Sequence, residues 1–198
     1  VFSLFLCFLL APSIPSLAQN DYDAKKVMGK YANQYFAKGD SLLKNGDIVN
    51  AMIYFTEALD VYEYVYGKHN PRMIGIYNIL GRLLADEGYI NEAIPVVEKA
   101  LENLAMQPKT VPRISADLYL LMGRLYQQKG LGTAALPYFL QTLKLYVLHE
   151  DLASPEDVLI LRMETGNLYL EQKKFDEAKV AYQQSLAYLL KFTPELNQ

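Results

Sequence analysis

The chain has 198 residues, 52% of them apolar, which is enough to bury the core of one ordinary domain or a short repeat array and too apolar for a disordered polymer. Its 22 acidic and 19 basic residues leave a formal charge of −3, so charge gives no ground for a nucleic acid or an anionic membrane surface as the partner. Cys7 is the only cysteine, which leaves the rest of the chain without a disulfide, a zinc thiolate or a thiol nucleophile.

VFSLFLCFLL followed by APSIPSLAQN carries no charged residue before Asp21. The apolar run ends near Ala11, and Pro12 and Pro15 interrupt the residues after it. Such a helix is too short to cross ~30 Å of hydrocarbon. It reads as the apolar region of a secretory signal over residues 1–18, with Ser16, Leu17 and Ala18 placing a small-residue cleavage site near Ala18. On this reading the mature protein is exported, to a periplasmic or extracellular space, and has no transmembrane segment. Cys7 lies inside the apolar stretch, not after it, which argues against acylation. No basic leader precedes Val1, so a longer natural sequence is expected at this end.

From residue 19 to 198 the chain reads as one helical repeat domain. Gly39, Gly81, Gly123 and Gly166 recur at spacings of 42, 42 and 43. Twelve residues past each stands an alanine: Ala51, Ala93, Ala135 and Ala178. Four further on comes a bulky residue, Phe55, Val97, Phe139 and Tyr182. Leu42, Leu84, Tyr126 and Tyr169 stand three after the glycines, and Tyr35, Tyr77 and Tyr119 four before, with Arg162 breaking that row. The repeats run over about 26–68, 69–110, 111–153 and 154–193.

Each unit divides into two helices. Tyr77, Leu80, Gly81 and Leu84 follow the spacing of one helical face, and Ala93, Val97 and Ala100 do the same on a second helix. Gly46, Gly88 and Gly130 fit the stop between them, where a left-handed residue is wanted; Lys173 takes that place in the last unit. The small residues Gly81 and Ala93 are expected where the two helices cross most closely, because a side chain there would push the axes beyond ~8–10 Å. Pro71, Pro112 and Pro155 mark the starts of first helices, and Ser154-Pro155-Glu156-Asp157 reads as a serine cap followed by a proline and two acids. Thr193-Pro194-Glu195 repeats that signature, so a fifth repeat is expected to begin at 194–198. Pro95 and Pro137 fall early in two second helices, where a first-turn bend is tolerable.

This grammar of glycine, aromatic, alanine and aromatic on paired helices resembles the tetratricopeptide repeat. The period of 42 looks like the kinesin-light-chain variety, as does the joint VYGKHNPRMIGIYNILGRL. The resemblance implies an all-α fold, a right-handed superhelical solenoid of antiparallel helix pairs whose concave side is lined by first helices. It also implies which side chains face that groove: Asp40, Arg82, Arg124 and Asn167 after each glycine, with Phe36, Asn78, Leu120 and Met163 before it and Leu43, Ala85, Gln127 and Leu170 beyond it. The lysine-bearing clamp of chaperone-binding relatives is not matched, since Phe36 and Asp40 stand where Lys and Asn would.

Chemistry is not indicated. His69 and His149 both fall at or near links and are not paired at metal-ligand spacing. No phosphate loop, dinucleotide fingerprint or Gly-x-Ser-x-Gly occurs. Neither an enzyme, a cofactor nor a metal is expected. The expectation is a non-catalytic interaction module that holds a protein or peptide segment of some acidic character around Arg82 and Arg124, whose guanidinium forks suit carboxylates. The plainer reading has both arginines solvated or paired locally, Arg82 with Asp86. Alternatives are the sensory or docking region of a larger histidine kinase or CHAT-type protease-like protein, and a cytosolic cargo adaptor. An uncapped helix after Leu190 would also permit a homodimer.

Overall fold

The computed structural model describes residues 21–107 and 111–192. The expected signal with its cleavage site, and the expected start of a fifth repeat, lie outside the described residues. Among the described residues there are eight helices and no strand: α1 (Asp21–Lys44), α2 (Ile48–Tyr66), α3 (Pro71–Asp86), α4 (Ile90–Ala105), α5 (Pro112–Gln128), α6 (Gly132–Leu148), α7 (Pro155–Glu171) and α8 (Phe175–Phe192). They pair in chain order as four antiparallel hairpins. Two compact units result, Val1–Gly67 with the hairpin α1–α2, and Lys68–Gln198 with the other three. In the second unit α4 packs on α5 and α6 on α7, so its hairpins stack as a solenoid.

The hairpin turns share one mechanism. The backbone N–H of Asp47, Tyr89, Leu131 and Lys174 donates to the carbonyl of Leu42, Leu84, Tyr126 and Tyr169, at 2.8–2.9 Å. This long bond closes only if the residue before the donor adopts a left-handed conformation, the Schellman ending. Gly46, Gly88 and Gly130 supply it with φ of 79°, 82° and 75°, and Lys173 does so at 59° despite its side chain. Helix starts follow the expected punctuation. Asn70 accepts from the Arg72 N–H at 2.9 Å ahead of Pro71, and Ser154 and Asp157 form a reciprocal capping box. Pro95 and Pro137 stand at the sixth residue of α4 and α6, deeper than a first turn, and both face outward.

All four register glycines are buried. Each faces the bulky residue sixteen positions on more closely than its alanine. A Cβ on Gly39 would lie 2.9 Å from the Phe55 ring, and one on Gly166 2.7 Å from that of Tyr182. At Gly81 and Gly123 it would overlap Val97 and Phe139 outright. Ala51, Ala93, Ala135 and Ala178 are buried beside those bulky residues. In the second unit the core is continuous from α5 to α7, where Ala116, Phe139, Leu143, Val158, Leu161 and Leu168 form one cluster.

Candidate functional site

The first helices α3, α5 and α7 present the side chains singled out by register. On α3, Arg82 is exposed, but it does not pair with Asp86. Its Nη2 lies 3.6 Å from Oδ1 of Asp117 on α5, a bridge across neighbouring hairpins. Asn78, one turn before, is half-buried, and its Oδ1 is a buried acceptor without a donor. On α5, Arg124 and Gln127 are exposed, and Arg124 has no hydrogen bond or ion pair among the described residues. Leu120 is half-buried against the core cluster. The two arginines are therefore unequal: Arg82 makes an ion pair and Arg124 makes none among the described residues.

On α7, Asn167 is exposed and accepts a 2.5 Å hydrogen bond from the hydroxyl of Tyr182 on α8. The same side chain that fills the space beside Gly166 thus orients the amide. Ile160, Met163 and Leu170 lie 43%, 48% and 44% exposed on α7, giving it an apolar strip. Tyr146 of α6 is buried beside these elements. Its hydroxyl is held above its ordinary value of 10.0 by burial first, then by Asp117 and Asp157, with Arg124 and Arg82 opposing.

Phe36 and Asp40 belong to the first unit. Phe36 is half-buried, with its ring 5.6 Å from that of Phe55, and Asp40 pairs with Lys44 at 2.6 Å. Asp117, Ile160 and Tyr182 are not among the site residues that the register singles out. Asp117 and Ile160 stand six residues before Gly123 and Gly166, so the register could have found both. His69 contributes its backbone carbonyl, which accepts from Gln107 at 3.1 Å. Among the described residues no group of three metal-ligating side chains comes together, and no helix is long and apolar enough to cross a membrane.

Residues 32–64, 74–103 and 163–188, within the first, second and fourth hairpins, match the model of the tetratricopeptide repeat. The third lies outside the match, although Gly123 and Ala135 keep its register. A curated relative, protein KINESIN LIGHT CHAIN-RELATED 3 of Arabidopsis thaliana, is 28% identical over 153 residues. That is 76% of this chain and 23% of the relative, so the chain spans about a quarter of that protein's length. Among solved structures, BtubC (BKLC) from P. vanneervenii shares the fold with a TM-score of 0.67 at 17% identity, over 82% of this chain and 64% of that one. MamA does so with a TM-score of 0.59 at 16% identity, over 88% and 87%. The chain is similar to tetratricopeptide-repeat proteins in these three stretches and has a helical fold like that of these structures, one that presents extended surfaces to protein partners.

Proposed function

We propose that this chain is a non-catalytic interaction module that holds a peptide segment of a partner protein along α3, α5 and α7. The observation that carries this reading is Arg124, an exposed guanidinium with no hydrogen bond or ion pair among the described residues. A carboxylate of the peptide, on an acidic side chain or at its C-terminus, pairs with that fork. The strip of Ile160, Met163 and Leu170 takes apolar side chains. Binding by several weak polar contacts around an apolar anchor is the usual economy of peptide recognition.

The test is a peptide array that varies acidic residues and the C-terminal carboxylate, probed with the wild type and with Arg82→Glu/Arg124→Glu. Acid-dependent binding that the charge reversal abolishes supports the reading. Binding that a correctly folded double variant keeps unchanged rejects it. Export belongs to the same proposal and rests on residues 1–18; a secreted form whose mass starts just after Ala18 would support it.

A further inference from the structure

The cleft inside a hairpin is lined by the same columns of the repeat in α5–α6 and in α7–α8, with different chemistry. In α5–α6 the columns hold three tyrosines. Tyr126 and Tyr138 stack at 5.7 Å and 16°, and Tyr119 lies 6.5 Å from Tyr138, around a hollow of 570 Å³. The first hairpin fills two of these columns with Tyr35 and Tyr54, 6.2 Å apart. In α7–α8 the residues 43 beyond Tyr119 and Tyr138 are Arg162 and Ala181, and they line a cavity of 360 Å³.

That cavity is charged at both ends. At one end the Arg162 guanidinium sits 5.7 Å from the Tyr188 ring and donates from Nη1 to Gln184 Oε1 at 2.8 Å, while its Nε–H has no acceptor. At the other end Asp176 and Glu177, in the first turn of α8, line the cavity and make no ion pair among the described residues. Leu140 and Val180, 41% and 49% exposed, form the apolar wall between. Glu177 and Gln184 are seven residues apart on one helix, about 10 Å by helical rise.

The geometry points to a second binding site here, for a di- or tripeptide with free ends. Its ammonium sits at Asp176 and Glu177, its carboxylate on Arg162, and its side chains against Leu140 and Val180. An extended chain covers ~3.3–3.6 Å per residue, so a free amino acid is too short to bridge the two ends and two or three residues are enough. A guanidinium steadied by one amide and one ring keeps the rest of its fork for a carboxylate. The volume is at the small end of the ~300–1,000 Å³ typical of ligand sites. Arg162, Thr165 and Tyr169 line this cavity from one face of α7, whereas Met163, Asn167 and Leu170 stand on another, so the site does not depend on the peptide groove proposed above.

Calorimetric titration of the full chain with Leu-Leu and Leu-Leu-Leu, each also N-acetylated and C-amidated, tests this. Saturable binding of a free-ended peptide is expected, weakened about tenfold or more by either cap. Arg162→Tyr with Ala181→Tyr should abolish it, because that change restores the ring pair accommodated in α5–α6. Glu177→Gln should weaken it. If circular dichroism shows the double variant unfolded, Arg162→Gln makes the same test. No binding of any free-ended peptide, equal binding of capped peptides, or binding retained without Arg162 would each overturn the assignment.

Discussion

Gly81 on α3 and Val97 on α4 compete for one volume: a methyl group on the glycine would overlap Cγ2 of the valine, which is itself fully buried. At Gly75, six residues earlier on α3, an added methyl group would have nothing within 4 Å. The two glycines of one helix therefore answer oppositely to alanine. Gly75→Ala should stabilise by about 0.5–1 kcal/mol through helix propensity. Gly81→Ala should destabilise by about 1–2 kcal/mol, because overpacking exceeds that gain. Adding Val97→Ala to Gly81→Ala should recover part of the loss. Urea denaturation checks all three, and equal gains at both glycines would refute the close fit.

Lys173 performs the turn that glycine performs elsewhere, at φ 59°. A side chain in the left-handed region costs about 1–2 kcal/mol. Lys173→Gly should raise the stability of the second unit by about 1 kcal/mol, whereas Gly88→Lys or Gly130→Lys should lower it. Denaturant midpoints report the sign directly.

Ser154 and Asp157 cap α7 reciprocally, with Asp157 N–H to Ser154 Oγ at 3.1 Å and Ser154 N–H to Asp157 Oδ2 at 3.2 Å. Ser154→Ala should cost about 0.5–2 kcal/mol. The core cluster includes Val158 and Leu161 of this helix, so the loss should appear as global unfolding at lower denaturant. A local loss of helix signal without a midpoint shift would contradict this.

Arg82 and Arg124 should separate in binding. Arg124→Ala removes the free guanidinium and should weaken an acidic peptide about tenfold, while Arg82→Ala should have a smaller effect. Breaking the exposed Arg82–Asp117 pair should change stability by less than about 1 kcal/mol. Asp117→Asn releases Arg82 and should strengthen binding of the same peptide. Fluorescence anisotropy with one labelled acidic peptide ranks all three.

Tyr146 gives the fold an alkaline limit. Its folded value is raised, so the native chain keeps this proton more tightly than the unfolded chain does. The stability this confers is complete below about pH 10 and is lost as pH rises through the folded value. Tyr146→Phe removes the ionisation. Its stability relative to wild type should improve between about pH 9 and 11.5, as measured by denaturation at each pH. A constant difference over that range would show that the hydroxyl is not desolvated.

The repeat was legible because its strongest constraints are local or of fixed spacing. Gly46, Gly88 and Gly130 mark turns that depend on a single φ, and Pro71, Pro112 and Pro155 mark helix starts that need no backbone donor. The four buried glycines could be read from the coincidence of columns, though their partner could not. The alanine looked like the crossing point, whereas the side chain sixteen residues on is what fills the space. That depends on the relative rotation of two helices, which periodicity does not fix.

Sequence alone determined that this chain forms paired helices with small residues at every crossing, since the hydrophobic period and the turn conformations are properties of neighbouring residues. Tertiary structure decided the state of each charge. Arg82 found Asp117, thirty-five residues away, instead of Asp86 within its own helix, and Arg124 was left free. It also placed Arg162 between Gln184 and Tyr188 in a cavity where earlier hairpins hold a tyrosine. Ion pairs and cavities arise from how separate helices are set side by side, and a linear pattern carries no measure of that distance.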